Sequence, residues 1–234
     1  MSQCLFCGQQ LRVAISLSFL FSFTALEEPL ICADCYSQFQ PIDPLKACPA
    51  CSRTQDNCDV CTDCVYWQKT IPGISLNHRA LFTYNDIARE YMKVFKFQGD
   101  LILAHLFKKE VHHFLKDYRK THQMIPIPIS QRSFSERGFN QVALILESAG
   151  VPYDERLLHK GKGERQSRKN RKERLQMEGF LALKAENRGG IQLKEKILLV
   201  DDIYTTGRTI LEAKNILFEE SQKPVDICSF SLFR

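Results

Sequence analysis

Two adjacent carboxylates, Asp201 and Asp202, end an apolar run, Ile197-Leu198-Leu199-Val200, and precede Thr205-Thr206-Gly207-Arg208-Thr209. Four consecutive apolar residues read as a strand covered on both faces, which needs no polar alternation. Ile210, Leu211, Ala213, Ile216 and Leu217 then follow at helical spacing. A strand, a short hydroxyl-and-glycine loop and a helix start together build an anion cradle, because loop N–H groups and the helix N-terminus converge there. Thr205, Thr206 and Thr209 add hydroxyl donors, Arg208 a charge, and Gly207 a close backbone approach. Asp201 and Asp202 suit sugar hydroxyls or a hydrated Mg²⁺ and form the candidate catalytic pair. A phosphate with a ribose beside it satisfies every residue type in the run. The alternative is an ordinary turn beside a solvated pair of aspartates.

A second anion loop is expected over residues 130–138, between a proline-bearing strand at 124–129 and a helix from about 139 to 148. Arg132 and Arg137 are its candidate pyrophosphate ligands through charge-assisted hydrogen bonds; solvated arginines on a turn are the plainer reading.

Nine of the ten cysteines precede residue 65, and eight form Cys-x-x-Cys pairs: Cys4/Cys7, Cys32/Cys35, Cys48/Cys51 and Cys61/Cys64. Two pairs close one tetrahedral zinc site, so four make two structural sites, taken in sequence order. Cys58 is left over and forms an alternative pair with Cys61. A secreted disulfide scaffold fits poorly with the thiol-poor chain that follows and the absence of a signal peptide. Cys228 reads as core. The six histidines show no metal or nucleophile spacing and read as helix-surface residues.

Net charge is +5 over 234 residues, but it is not evenly spread. Residues 160–174 hold eight Lys and Arg against two Glu, a net +6 on a chain otherwise near neutral. Arg165, Arg168, Lys169, Arg171, Lys172 and Arg174 are the candidate nucleic-acid contacts. A catalytic lid and a solvated face are the competing readings. In Tyr91–Asp100 aromatics alternate with lysines; most read as core with a wet side, leaving Lys96 and Phe97 beside Gly99 as candidates.

Residues 15–24 are apolar at period two, a half-buried strand rather than the ~20-residue helix a membrane span needs. With no span, the chain reads as cytoplasmic. Residues 1–67 form a double zinc-ribbon module, 68–77 a linker, and 78–234 an α/β domain. That domain alternates a strand at 79–84, a helix carrying Ile87, Tyr91 and Phe95, a long helix at 101–120, strands near 180–183 and 196–200, a helix at 208–220 and a strand at 225–232. Such alternation implies a parallel sheet flanked by helices.

The run from Asp201 to Thr209 resembles the 5-phosphoribosyl-1-pyrophosphate (PRPP) motif of type I phosphoribosyltransferases. Cys61-x-Asp63-Cys64-x-x-Trp67, Phe82-x-Tyr84, Lys96-Phe97-x-Gly99-Asp100, Pro126-Ile127-Pro128, Arg137-Gly138-Phe139-Asn140-Gln141, Gln166 with Arg174, and the Asp-Asp-Ile-Tyr-Thr-Thr-Gly run join it. Together they resemble the ComF/ComFC family of competence proteins across nearly the whole chain. Cys58 is extra to that pattern, and Glu178 stands where an Asn is expected before Gly179-Phe180. The resemblance implies a zinc module on a phosphoribosyltransferase-like domain, and a role in natural transformation. It also implies handling of incoming single-stranded DNA beside a ComFA-type helicase and other competence proteins, with recruitment to the inner face of the membrane. PRPP or ribose 5-phosphate, with Mg²⁺, is the implied small ligand. An active phosphoribosyltransferase with an unidentified acceptor is the alternative, and an adaptor that docks the helicase through its zinc ribbons is a third reading.

Overall fold

The computed structural model describes residues 2–11, 29–71, 73, 76–155, 158–160, 181–183, 193–221 and 223–234. The strand expected over 15–24 and the basic segment beyond Lys160, with Arg165, Arg168, Lys169, Arg171, Lys172 and Arg174, lie outside these residues.

Chain order runs α1 (Ala33–Ser37), α2 (Thr62–Thr70), β1 (His78–Phe82), α3 (Asp86–Lys93), α4 (Lys108–Leu115), α5 (Tyr118–Thr121), β2 (Gln123–Pro126), α6 (Gln131–Arg137) and α7 (Gln141–Ser148). It continues through β3 (Leu158–Lys160), β4 (Leu181–Leu183), β5 (Lys196–Ile203), α8 (Arg208–Glu220) and β6 (Asp226–Phe233). Four of the described strands form a parallel sheet in the order β1-β6-β5-β2; β3 and β4 make a separate antiparallel pair. Pro126 lies in β2, an edge strand, where the missing N–H costs no ladder bond to a second neighbour.

Alternate residues of β5 enter two different cores. Leu198 and Val200 pack on one face with Val111 and Leu115 of α4 and Val142, Ile145 and Leu146 of α7. Ile197 and Leu199 pack on the other with Ile210, Leu211, Ala213 and Leu217 of α8. The expected α/β class, a parallel sheet with helices on its faces, is the observed one. Each large side chain fully buried in such a layer, among them Tyr91, Phe95, Phe107 and Phe233, contributes roughly 1.5–3 kcal/mol relative to exposure.

Three expectations change. The helix expected over 101–120 is a 3₁₀ turn, Leu101–His105, followed by α4 and α5. The loop expected over 130–138 contains α6, capped by the Ser130 hydroxyl accepting from the Ser133 N–H; its residues lack the apolar spacing that announces a helix. His78 is no surface residue: it is fully buried in β1, with ring nitrogens 3.0 and 3.1 Å from the Ser229 and Ser231 hydroxyls of β6.

Candidate functional site

Eight cysteines assemble into two clusters, Cys4/Cys7/Cys32/Cys35 and Cys48/Cys51/Cys61/Cys64, in each of which all four sulfurs lie within 4.8 Å of one another. Both are built alike. One pair sits on a tight turn that closes with a positive-φ residue, Gly8 after Cys7 or Ser52 after Cys51. The other opens a helix, Cys32 at the start of α1 and Cys61 at the start of α2. The Sγ–Sγ separations include 3.7 Å for Cys7–Cys32, 3.9 Å for Cys48–Cys64 and 3.6 Å for Cys51–Cys61. A tetrahedron with Zn–S near 2.3 Å has edges of about 3.8 Å, so the donor set and its spacing fit zinc.

One thiol of each cluster is held low. Burial raises Cys4, but backbone N–H groups of Cys7, Cys32 and Phe6 bring it to about 6. The Cys64 thiol and then the Arg234 guanidinium hold Cys51 at about 4, despite burial. Burial, and then the Cys32, Cys4 and Cys7 thiols, raise Cys35, while the Cys51 thiol and then burial raise Cys64; a divalent cation removes the conflict among the clustered thiols. Cys58 is exposed and lies outside both clusters. The two clusters border opposite faces of the sheet: Cys4 and Cys35 join the α4/α7 core, and all four thiols of the second join the α8 core.

Asp201 and Asp202 are the last carboxylates of β5, both half-buried, and belong to the strand rather than to the loop after it. They face a cleft of about 180 Å³ at the carboxyl ends of β2 and β5, the place where open α/β sheets hold ligands. Ser130, Ser133 and Arg137 supply its opposite wall. Arg132 does not reach the cleft and pairs instead with Glu136 on the outside of α6, at 3.0 Å.

Two further cleft residues are Lys96, a candidate from its place beside Gly99, and Gln141, which the sequence offered only as part of a motif and with no role. Lys96 forms an ion pair with Asp202. It sits on a π-helical turn, Val94–Gln98, that ends at Gly99 with φ +70°, and π turns inside helices often mark functional sites. Gln141 opens α7 and is fully buried in the cleft wall, and both atoms of its carboxamide lack a hydrogen-bond partner among the described residues. Its place in the Arg-Gly-Phe-Asn-Gln run was the available signal.

Beyond Asp202 the chain leaves β5 at Ile203 and enters α8 at Arg208. Thr205 is exposed, Thr206 and Gly207 are buried, and Arg208 and Thr209 are half-buried at the start of α8. Gly207 occupies the N-cap with φ +83° and offers no side chain to the first helical N–H groups. A Cβ at 207 would stand 2.1 Å from the Tyr204 hydroxyl. The Tyr204 ring, in turn, lies 4.0 Å from that of His78. The first N–H groups of α8 thus carry no side-chain cap, the feature that anion-binding helix starts share.

No helix among the described residues is long and apolar enough to cross a membrane. No family model matches the chain. Among solved structures it is similar to adenine phosphoribosyltransferase from Leishmania tarentolae, at 14% identity and a TM-score of 0.29 over 54% of this chain and 70% of that one. It is 38% identical over 232 residues to competence protein ComFC of Streptococcus pneumoniae, covering 99% of this chain and all of the relative. It is 34% identical over 235 residues to competence protein ComFC of Bacillus subtilis, covering 99% and 94%. Likeness at that level along essentially the full length assigns the chain: it belongs to the ComFC family of competence proteins.

Proposed function

We propose that this chain acts in natural transformation, binding and handling incoming single-stranded DNA in the cytoplasm with the help of two structural zinc ions and a PRPP-type ligand site. The observation that carries the reading is the end-to-end identity to two proteins named for competence. In this reading the cradle at Thr205–Thr209 takes a 5-phosphate and Asp201 and Asp202 take the ribose hydroxyls. The carboxylate oxygens suit a hard cation such as Mg²⁺, which a ligand pyrophosphate would share. Lys96 and Arg137 supply the positive charge for that pyrophosphate. Arg165, Arg168, Lys169, Arg171, Lys172 and Arg174 contact the DNA backbone, and a ComFA-type helicase at the inner face of the membrane is the partner. Residues 1–67 are proposed as the zinc module and 78–234 as the phosphoribosyltransferase-like domain.

A second reading, an active phosphoribosyltransferase, is favoured by the Gln141 carboxamide, without a partner among the described residues and lining the cleft with Lys96, Arg137, Asp201 and Asp202. Preorganised polar groups of that kind stabilise charge as it develops on a leaving group, each typically worth about 10²–10³ in rate. Incubating the metal-loaded protein with PRPP and Mg²⁺, with and without single-stranded DNA, separates the two. Binding of PRPP without pyrophosphate release supports the handling role. Accumulating pyrophosphate, with or without DNA, moves the assignment to the transferase, and absence of both PRPP and DNA binding sinks the proposal.

A further inference from the structure

Two side chains tie the second cysteine cluster to the anion loop. Trp67 lies one turn beyond Cys64 on α2, and its indole Nε1 donates to the Thr206 carbonyl at 2.7 Å. Arg234, which follows β6, spreads its guanidinium over both structures. Its Nε donates to the Cys51 carbonyl at 3.1 Å and Nη2 to the Cys51 Sγ at 3.4 Å. Its Nη1 donates to the carbonyls of Thr205 at 2.9 Å and Tyr204 at 3.3 Å. The same group lies over the Tyr204 ring, 4.9 Å from its centre.

The effect follows from peptide geometry. In a trans peptide the C=O and the next N–H point in opposite directions. Three consecutive carbonyls, those of Tyr204, Thr205 and Thr206, are held towards the cysteine cluster. The N–H groups of Thr205, Thr206 and Gly207 are consequently turned away from it, as a concave run of donors requires. Free peptide planes in a loop of this kind would flip among several orientations; pinned ones present one. The first cluster borders the other face of the sheet.

We infer that Arg234 and Trp67 are positioning residues that make the shape of the 204–207 loop depend on the Cys48/Cys51/Cys61/Cys64 cluster. Metal at that cluster fixes Cys51 and the start of α2, and through them the two donors. Loop geometry thus reports on the occupancy of a site that touches no ligand. The ligand-binding part of this inference rests on the phosphate-cradle reading above, whereas the loop-ordering part stands without it.

The test uses full-length protein with its metal content verified at two ions, and reads amide hydrogen exchange in residues 201–209 beside calorimetric binding of PRPP with Mg²⁺. Arg234→Ala is expected to speed exchange at residues 205–207 and to weaken PRPP about tenfold, the size expected for losing charge-assisted hydrogen bonds. Arg234→Lys keeps the charge but cannot span both carbonyls and the sulfur, so it recovers only part of the loss. Trp67→Phe removes a single donor without touching a sulfur, and keeps the inference testable should Arg234→Ala release metal. Exchange at 205–207 that is unchanged in both Arg234→Ala and Trp67→Phe overturns the inference, whatever the ligand result. Loosened loops in a protein whose wild type binds no PRPP would support the positioning role and count against the ligand reading alone.

Discussion

The Lys96 ammonium and the Asp202 carboxylate form an ion pair that joins the π turn after α3 to the end of β5, with both side chains mostly withdrawn from water. Removing one partner of such a pair leaves a poorly solvated charge behind. Lys96→Met should therefore lower unfolding stability by roughly 1–3 kcal/mol, less than the cost for a fully buried pair. In a double-mutant cycle with Asp202→Asn, urea unfolding should yield a coupling on the order of 0.5–3 kcal/mol. Strict additivity would mean that the pair is incidental.

The cysteine geometry predicts two zinc ions per chain, each closed by four thiolates. Structural zinc contributes roughly 10–16 kcal/mol in small modules, so chelation should unfold the regions around the clusters. Elemental analysis is expected to find two ions, and still two after Cys58→Ser. A count of one in that variant would make Cys58 a ligand.

Asp201→Asn with Asp202→Asn should weaken Mg²⁺-dependent PRPP binding, because the sugar-hydroxyl acceptors and the metal's charge partner change together. Calorimetry on both proteins decides the point. Undiminished affinity would place the ligand elsewhere.

His78 carries a pH signature. Burial holds its pKa well below the ordinary 6.5, and Arg234, Lys214 and Arg79 push the same way. The folded protein keeps the ring neutral where the unfolded chain takes up a proton. Its stability contribution is complete above about pH 6.5 and declines as pH falls from there towards the folded pKa, by up to about 1.4 kcal/mol per pH unit. His78→Gln lacks that decline. Denaturant midpoints of the two proteins at equal metal loading should converge between pH 7.5 and 5.5, and a constant gap would refute the linkage.

The basic segment predicts salt-dependent binding of single-stranded DNA with little sequence preference. Log affinity should fall with log salt at about −0.7 per phosphate contacted. Replacing Arg168, Lys169, Arg171 and Lys172 by Ala should flatten that slope. The same slope in a folded quadruple variant would leave the segment as a lid or a solvated face.

How much was legible in the sequence depends on whether the signal is local. β5, the cradle and α8 are readable because an apolar run, a Thr/Gly turn and a helical repeat are adjacent in the chain. The pairing of the cysteines in sequence order is likewise readable, since short separations limit which pairs can meet. α6 is not, because Gln131, Arg132, Ser133, Ser135 and Glu136 give no apolar period, and its helix rests on the Ser130 cap. The contacts of Lys96, Trp67 and Arg234 are invisible for another reason: each acquires its meaning from a residue far along the chain that only the sheet brings near. Gln141 is quoted in a motif, yet its lack of a partner is a property of packing.

Gly207 and Tyr204 form a single heritable unit. Any side chain at 207 collides with the Tyr204 hydroxyl, and at φ +83° it stays strained even where the ring at 204 has gone. Losing that ring uncovers His78 and removes the surface on which the Arg234 guanidinium rests. One-step changes at either site are thus disfavoured from opposite directions. Diversification of this cradle should run through Thr205 and Arg208, whose side chains are not held in that stack, while the Tyr–Gly pair persists as a fixed spacer.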